Sequence, residues 1–189
     1  MDKYGHDFSE LVKEARVVAG RTENVYLLER DAISLSGVRF LGCTLWTDFE
    51  ANGAPDATMA LAREAFSDFK TIRVGDRPIK PVEIRQYCQA SYQWLASMLN
   101  QPGPPTVVVT HTAPSTDASL IHPDHGRNAL TPAFHNRFDQ LLSDTVRLWI
   151  YGRTHHSCVA SVNGVTIATN QRGYPMESGT FRWAQTIDL

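Results

Sequence analysis

Long apolar runs are missing from this sequence. No stretch approaches the ~20 residues that cross a bilayer as a helix, which excludes an ordinary membrane span. Cysteine is scarce as well. The three present, Cys43, Cys88 and Cys158, are odd in number, widely spaced and set among apolar neighbours, so neither a disulfide framework nor a cysteine-based zinc site is expected. They are read as reduced core or near-core thiols. Nor is there a surplus of positive charge: 18 Lys and Arg stand against 20 Asp and Glu, for a net charge of −2. That leaves no basic excess to neutralise a nucleic-acid backbone, so nucleic-acid binding is unsupported. The N-terminus mixes charge with apolar residues and lacks the unbroken apolar core of a secretory signal, so a cytoplasmic location is expected. What remains, 42% hydrophobic and 20% charged residues over 189 positions, suffices for a single domain spanning 1–189 with a real core.

Asp7 followed three residues later by Glu10 has the spacing of a capping box, and Phe8, Leu11, Val12, Ala15 and Val18 then recur at helical spacing up to Gly20. This predicts a helix over 8–19. "NVYLLER" (24–30), "AISLS" and "VRFLGCTLW" are rich in β-branched and aromatic residues, with Ser36-Gly37 as a tight connection, and predict a β-meander. Pro55 opens a second helical stretch, which the Gly, Asp and Pro of "RVGDRPIKP" (73–81) break. A further helix runs from Pro81 to about Asn100, with Ile84, Cys88, Ser91, Leu95 and Met98 on one face.

"TVVVTH" reads as a buried strand ending in His111. "TPAFHNRFDQLLSD" reads as a helix with Thr131 as cap and Pro132 at its first position, and "VRLWIYG" as a second buried strand. Strand, helix and strand in this order predict a βαβ unit with parallel strands. His111 and His155 then both reach the carboxyl edge of one sheet, where open α/β sheets place their ligands. "SCVASVNGVTIATN" is a hairpin closed by Asn163-Gly164.

"VVVTHTAPS" (107–115), "LWIYGRTHHS" (148–157) and "TNQRGYP" (169–175) together resemble the last signature blocks of the calcineurin-like metallophosphoesterases, which read approximately T-H-x-A-P, G-H-x-H and N-P-R-G-Y. "NVYLLERDAISLSGVRFLGCTLWTDF" (24–49) is similar to the segment that precedes those blocks. The resemblance covers about 25–175. It implies a two-metal phosphoester hydrolase, in which paired divalent cations (Mn, Fe, Zn or Mg) clamp the phosphate and activate a bridging water. Carried onto this chain, it makes His111 a ligand of the second metal and His155 a ligand of the first. Arg153 stands where the other histidine of G-H-x-H belongs, and a guanidinium has no lone pair to offer a cation.

The family's D-x-H, G-D-x-x-D and G-N-H-[DE] blocks have no counterpart here. Some 60 residues, two βαβ units, would be needed to hold them, so an N-terminally truncated domain, weak or inactive as this chain alone, is expected. Strand edges and an apolar sheet face then want cover, which predicts a homodimer or a covering partner. Other candidates are weighed against plainer readings. His122, Asp124 and His125 sit on the long loop after His111, which either approaches the site or is a solvated loop. His6 and Asp7 reach the site only if the first helix packs there. His135 is expected on the surface, His156 in a turn, and Asp48 at a structural or rim position.

The architecture implied is α/β, a mixed-sheet β-sandwich flanked by helices. Two functions follow: a metal-dependent hydrolase acting on a phosphoester or phosphodiester, or a non-catalytic phosphate-binding or interaction module. In the second, Arg153 grips phosphate bidentately, unless it is simply a surface charge.

Overall fold

Asp7 opens the first helix, α1 (Phe8–Gly20), by accepting from the backbone N–H of Ser9 and Glu10 at 2.9 and 3.1 Å. This satisfies donors that a helix start leaves without partners. The computed structural model describes residues 6–123, 126–177 and 180–189. β1 (Asp31–Leu35) and β2 (Val38–Gly42) form the hairpin read from Ser36-Gly37. Both turn residues have positive φ, 50° and 79°, the turn geometry that matches strand twist. The strand expected at 24–30 does not form. Asn24 and Arg30 take left-handed backbone, φ 59° and 50°, which a pleated strand cannot accommodate, and the meander reduces to a hairpin.

α2 (Pro55–Ala65) begins at its proline and stops where Phe66 turns extended. A short α3 (Asp68–Thr71) follows, then a small ribbon of β3 (Arg73–Val74) and β4 (Arg77–Pro78) in the stretch expected to break helix. α4 (Pro81–Leu99) buries Ile84, Cys88, Ser91, Leu95 and Leu99, a stripe at the spacing of one helical face. β5 (Thr106–Val109) and β6 (Val146–Ile150) are parallel, as expected. β7 (Cys158–Val162) and β8 (Val165–Thr169) form the predicted hairpin, with Asn163 and Gly164 at φ 51° and 80°.

The helix expected from Thr131 is absent. The described residues from 110 to 145 cross over without an α-helix, with three isolated 3-10 turns among them, Ala118–Leu120, Thr131–Ala133 and Asp139–Leu141. The backbone explains why. Asn136 N–H donates to Ala113 O at 2.9 Å, Phe138 N–H to Pro114 O at 2.8 Å, and Phe134 O accepts from Ala113 N–H at 3.3 Å. The groups an α-helix needs are thus claimed by the segment after β5. Burial enforces the same choice, because His135, Asn136 and Phe138 are all buried and a surface helix could not bury adjacent positions so completely. His135, expected on the surface, is therefore a core residue, 3% exposed, with Nδ1 3.0 Å from Ser115 O.

The sheet runs β1-β2-β5-β6-β8-β7. Its four inner strands, β2, β5, β6 and β8, are mutually parallel, and the two edges are antiparallel. The α/β class with a central mixed sheet flanked by helices is what is found. Among the described residues the strands make one large sheet and the small ribbon, so a second large sheet is not among them. One face packs Leu41, Val108, Trp149 and Ile167 with the α4 stripe. On the other, Val107, Leu148 and Ala168 are buried while Phe40, Val109 and Ile150 are half-buried. Cys43 and Cys88 are buried free thiols and Cys158 is half-buried; burial pushes the Cys43 thiol up to about 12 and raises the other two. None is poised as a nucleophile. No helix among the described residues is long and apolar enough to cross a membrane.

Candidate active site at the carboxyl edge of the sheet

Four parallel strands end at one edge, so the segments that follow them meet there. The loop after β2 is backbone-strained: Leu45, Trp46 and Phe49 have φ of 64°, 59° and 61° although all three are large and buried. Each such residue costs about 1–3 kcal/mol and persists only where the surroundings fix it. Asn136, fully buried, does much of the fixing. Its Nδ2 donates to Trp46 O at 2.9 Å and its Oδ1 accepts from Asp48 N–H at 3.1 Å. The Thr47 hydroxyl donates to Pro132 O, and Glu29 accepts from the N–H and hydroxyl of Thr44 at 2.9 and 2.6 Å. Asp48 is half-buried, burial raising its carboxyl above the ordinary range, and it accepts from Glu50 N–H. That is a structural role.

His111 follows β5 and is exposed. Its N–H donates to Thr44 O at 3.2 Å and its carbonyl accepts from Gly152 N–H at 3.0 Å. Beneath it, Trp149 Nε1 donates to the Thr110 hydroxyl at 2.9 Å, which donates on to Thr112 O. The β5 and β6 ends are thereby locked together.

The turn after β6 is strained too, with Arg153 and His155 at φ 73° and 54°. Gln171, just past β8, holds it. Gln171 Oε1 accepts from His155 N–H at 2.6 Å, while its Nε2 donates to Thr154 and Thr169 hydroxyls at 2.9 and 2.6 Å. The His155 ring is half-buried, its Nδ1 2.8 Å from Glu177 Oε2 and its edge against Tyr174 at 4.7 Å between centroids. The Tyr174 N–H, and then His155, hold the Glu177 carboxyl below its ordinary range. Arg153 lies over the rings of Phe66 and Phe134, 5.4 and 5.5 Å from their centroids, with Asp68 at 3.5 Å. It is a held cation, its side chain 22% exposed, and not a stray surface charge.

These elements line one cleft of about 1540 Å³, which includes His111, His122, Arg153, His155 and Glu177. The two histidines read as a pair are thus brought to a common cavity. His122 joins them: the loop after His111 does approach, placing its ring 5.3 Å from that of His156. Asp124 and His125 lie outside the described residues. α1 reaches the cleft with Phe8 and Val12, while Asp7 is committed to its cap and to Gly75 N–H at 2.6 Å, and His6 is exposed. Sequence reasoning missed Asn136, Gln171 and Glu177. The last two lie in or beside "TNQRGYP", but only the fold shows that this block closes on the turn after β6.

The donor set fits a two-metal centre poorly. Among the described residues no group of three or more His, Cys, Asp or Glu side chains is placed to hold a metal ion. His111 and His155 offer imidazoles, but the carboxylate beside His155, Glu177, is engaged with His155 Nδ1.

No family model matches this sequence. It is 24% identical over 175 residues to an uncharacterised protein, L509, of Acanthamoeba polyphaga mimivirus, the match covering 88% of this chain and 61% of that one. Its structure is similar to the crystal structure of the phosphopantetheinyl hydrolase PptH from Mycobacterium tuberculosis, with a TM-score of 0.63 and 15% identity over 90% of this chain and 62% of the other. The chain thus spans about three fifths of each of these two proteins, and what it shares with the hydrolase is the fold.

Proposed function

We propose that this chain carries the histidine-bearing part of a phosphoester hydrolase of the calcineurin-like metallophosphoesterase kind. One observation carries the reading: His111 and His155 follow adjacent parallel strands and line one cleft with Arg153, in a fold similar to that of a phosphopantetheinyl hydrolase. The imidazoles and the guanidinium supply the cleft with nitrogen groups that can hydrogen-bond the oxygens of a phosphoester or phosphodiester. A divalent metal (Mn, Fe, Zn or Mg) belongs to the completed centre. Its carboxylate donors come from polypeptide outside the described residues or from a partner, and a homodimer or covering partner is part of the proposal. Bis(p-nitrophenyl) phosphate hydrolysis in MnCl2 tests it. Weak turnover is expected, lost in both His111→Ala and His155→Ala; turnover indifferent to both substitutions would overturn it.

A second reading, a phosphate-binding module without catalysis, is favoured by Arg153, a cation held at the cleft by the Phe66 and Phe134 rings and by Asp68. Titration with inorganic phosphate, with and without EDTA, separates the two. Affinity that survives chelation and falls in Arg153→Ala supports the module, and affinity that vanishes on chelation rejects it.

A further inference from the structure

We propose that Glu177 is the positioning residue of His155, fixing its imidazole as the tautomer protonated on Nδ1 and leaving the Nε2 lone pair to a ring that lines the cleft. An ionised carboxylate can only accept, so the 2.8 Å contact between Nδ1 and Glu177 Oε2 requires the proton on Nδ1. A neutral imidazole held this way offers Nε2 as base or ligand; the opposite tautomer would offer an N–H instead.

The carboxylate is itself positioned. Oε2 also accepts from Tyr174 N–H at 2.8 Å, and Glu177 N–H returns to Tyr174 O at 3.0 Å, closing a turn. Gly173 makes room for it. Its φ is +67°, and a Cβ there would lie 2.4 Å from Glu177 Oε2, so a side chain at 173 would displace the carboxylate. The Tyr174 ring completes the arrangement by packing edge-on against His155. Gln171 therefore sets the backbone of His155 and Glu177 sets its ring, both from the segment after β8. Stability is a poor explanation for the contact, because the Glu177 side chain is 43% exposed and ion pairs this open contribute little.

The inference rests on the hydrolase reading only for its catalytic meaning, since the tautomer is a property of this chain alone. Long-range 1H–15N correlation of the 15N-labelled protein at pH 8, with His155 assigned through His155→Gln, reads it directly. The expected result is a pyrrole-type Nδ1 and a pyridine-type Nε2 in the native protein. Glu177→Ala should move His155 toward the Nε2–H form with the other imidazoles unmoved, Glu177→Gln should do so in part, and Gly173→Ala should reproduce Glu177→Ala. A pyrrole-type Nε2 in the native protein, or a His155 signal unchanged by Glu177→Ala, would overturn the proposal. Turnover followed in parallel reports separately on the hydrolase reading: turnover indifferent to His111→Ala and His155→Ala removes that reading and leaves the tautomer result standing.

Discussion

Gly152 is hydrogen-bonded to His111 and lies under its ring. The Gly152 N–H donates to the His111 carbonyl at 3.0 Å, and a Cβ on Gly152 would lie 3.3 Å from His111 Nδ1. The end of β6 thus both anchors the β5 end and sets how much room its imidazole has. Gly152→Ala should change stability by less than about 1 kcal/mol yet shift the ring resonances of His111, which has to give by a few tenths of an ångström. Unshifted His111 signals would show that the ring does not rest against Gly152.

Asn136→Ala should be costly. It strips a donor from Trp46 O and an acceptor from Asp48 N–H inside a buried loop, and each buried polar group left without a partner costs about 1–3 kcal/mol. Urea unfolding should show a loss of about 2–4 kcal/mol on that basis. A loss well under 1 kcal/mol would mean the left-handed backbone at Leu45, Trp46 and Phe49 is held by other contacts.

His135 makes stability depend on pH. Burial lowers its affinity for protons below the ordinary value of 6.5, partly opposed by its hydrogen bond to Ser115. The unfolded chain therefore binds the proton first as pH falls. The contribution is fully present above about 6.5 and declines below it until the folded imidazole is protonated as well. Urea midpoints between pH 5 and 8 should fall toward the acid side more steeply in the native protein than in His135→Gln; parallel profiles would contradict this.

Arg153→Lys keeps the charge but loses the planar group lying over Phe66 and Phe134. Stacked cations of this kind contribute about 0.5–2 kcal/mol, so a loss of about 1 kcal/mol in chemical denaturation is expected, with Arg153→Ala losing at least as much. No change in either variant would show that the two rings hold nothing.

Where local chemistry decides an element, the sequence was readable. Asp7 caps α1, Ser36-Gly37 and Asn163-Gly164 take the positive φ their hairpins demand, and the face of α4 follows from its spacing. Where a distant segment decides, it was not. Thr131 and Pro132 are a good helix start, yet the Ala113 N–H and the carbonyls of Ala113 and Pro114 outcompete that helix for Phe134, Asn136 and Phe138, turning an expected surface histidine into a core one. The site divides in the same way. His111 and His155 were legible because strand order places them, while Glu177 reaches His155 through a turn that carries no periodic signal.

The polypeptide leaving β6 through Arg153, Thr154 and His155 enters β7, but β7 does not pair with β6. It joins the sheet only through β8, which lies between them. The histidine turn is consequently a strap over a strand that arrives later in sequence, and it acquires its shape only when the whole β7–β8 hairpin docks. Assembly of this corner is expected to be all-or-none: amide protons of β8, of the strap and of the Gln171 bracket should become protected together, and loosening at Asn163-Gly164, at the other end of the hairpin, should release His155.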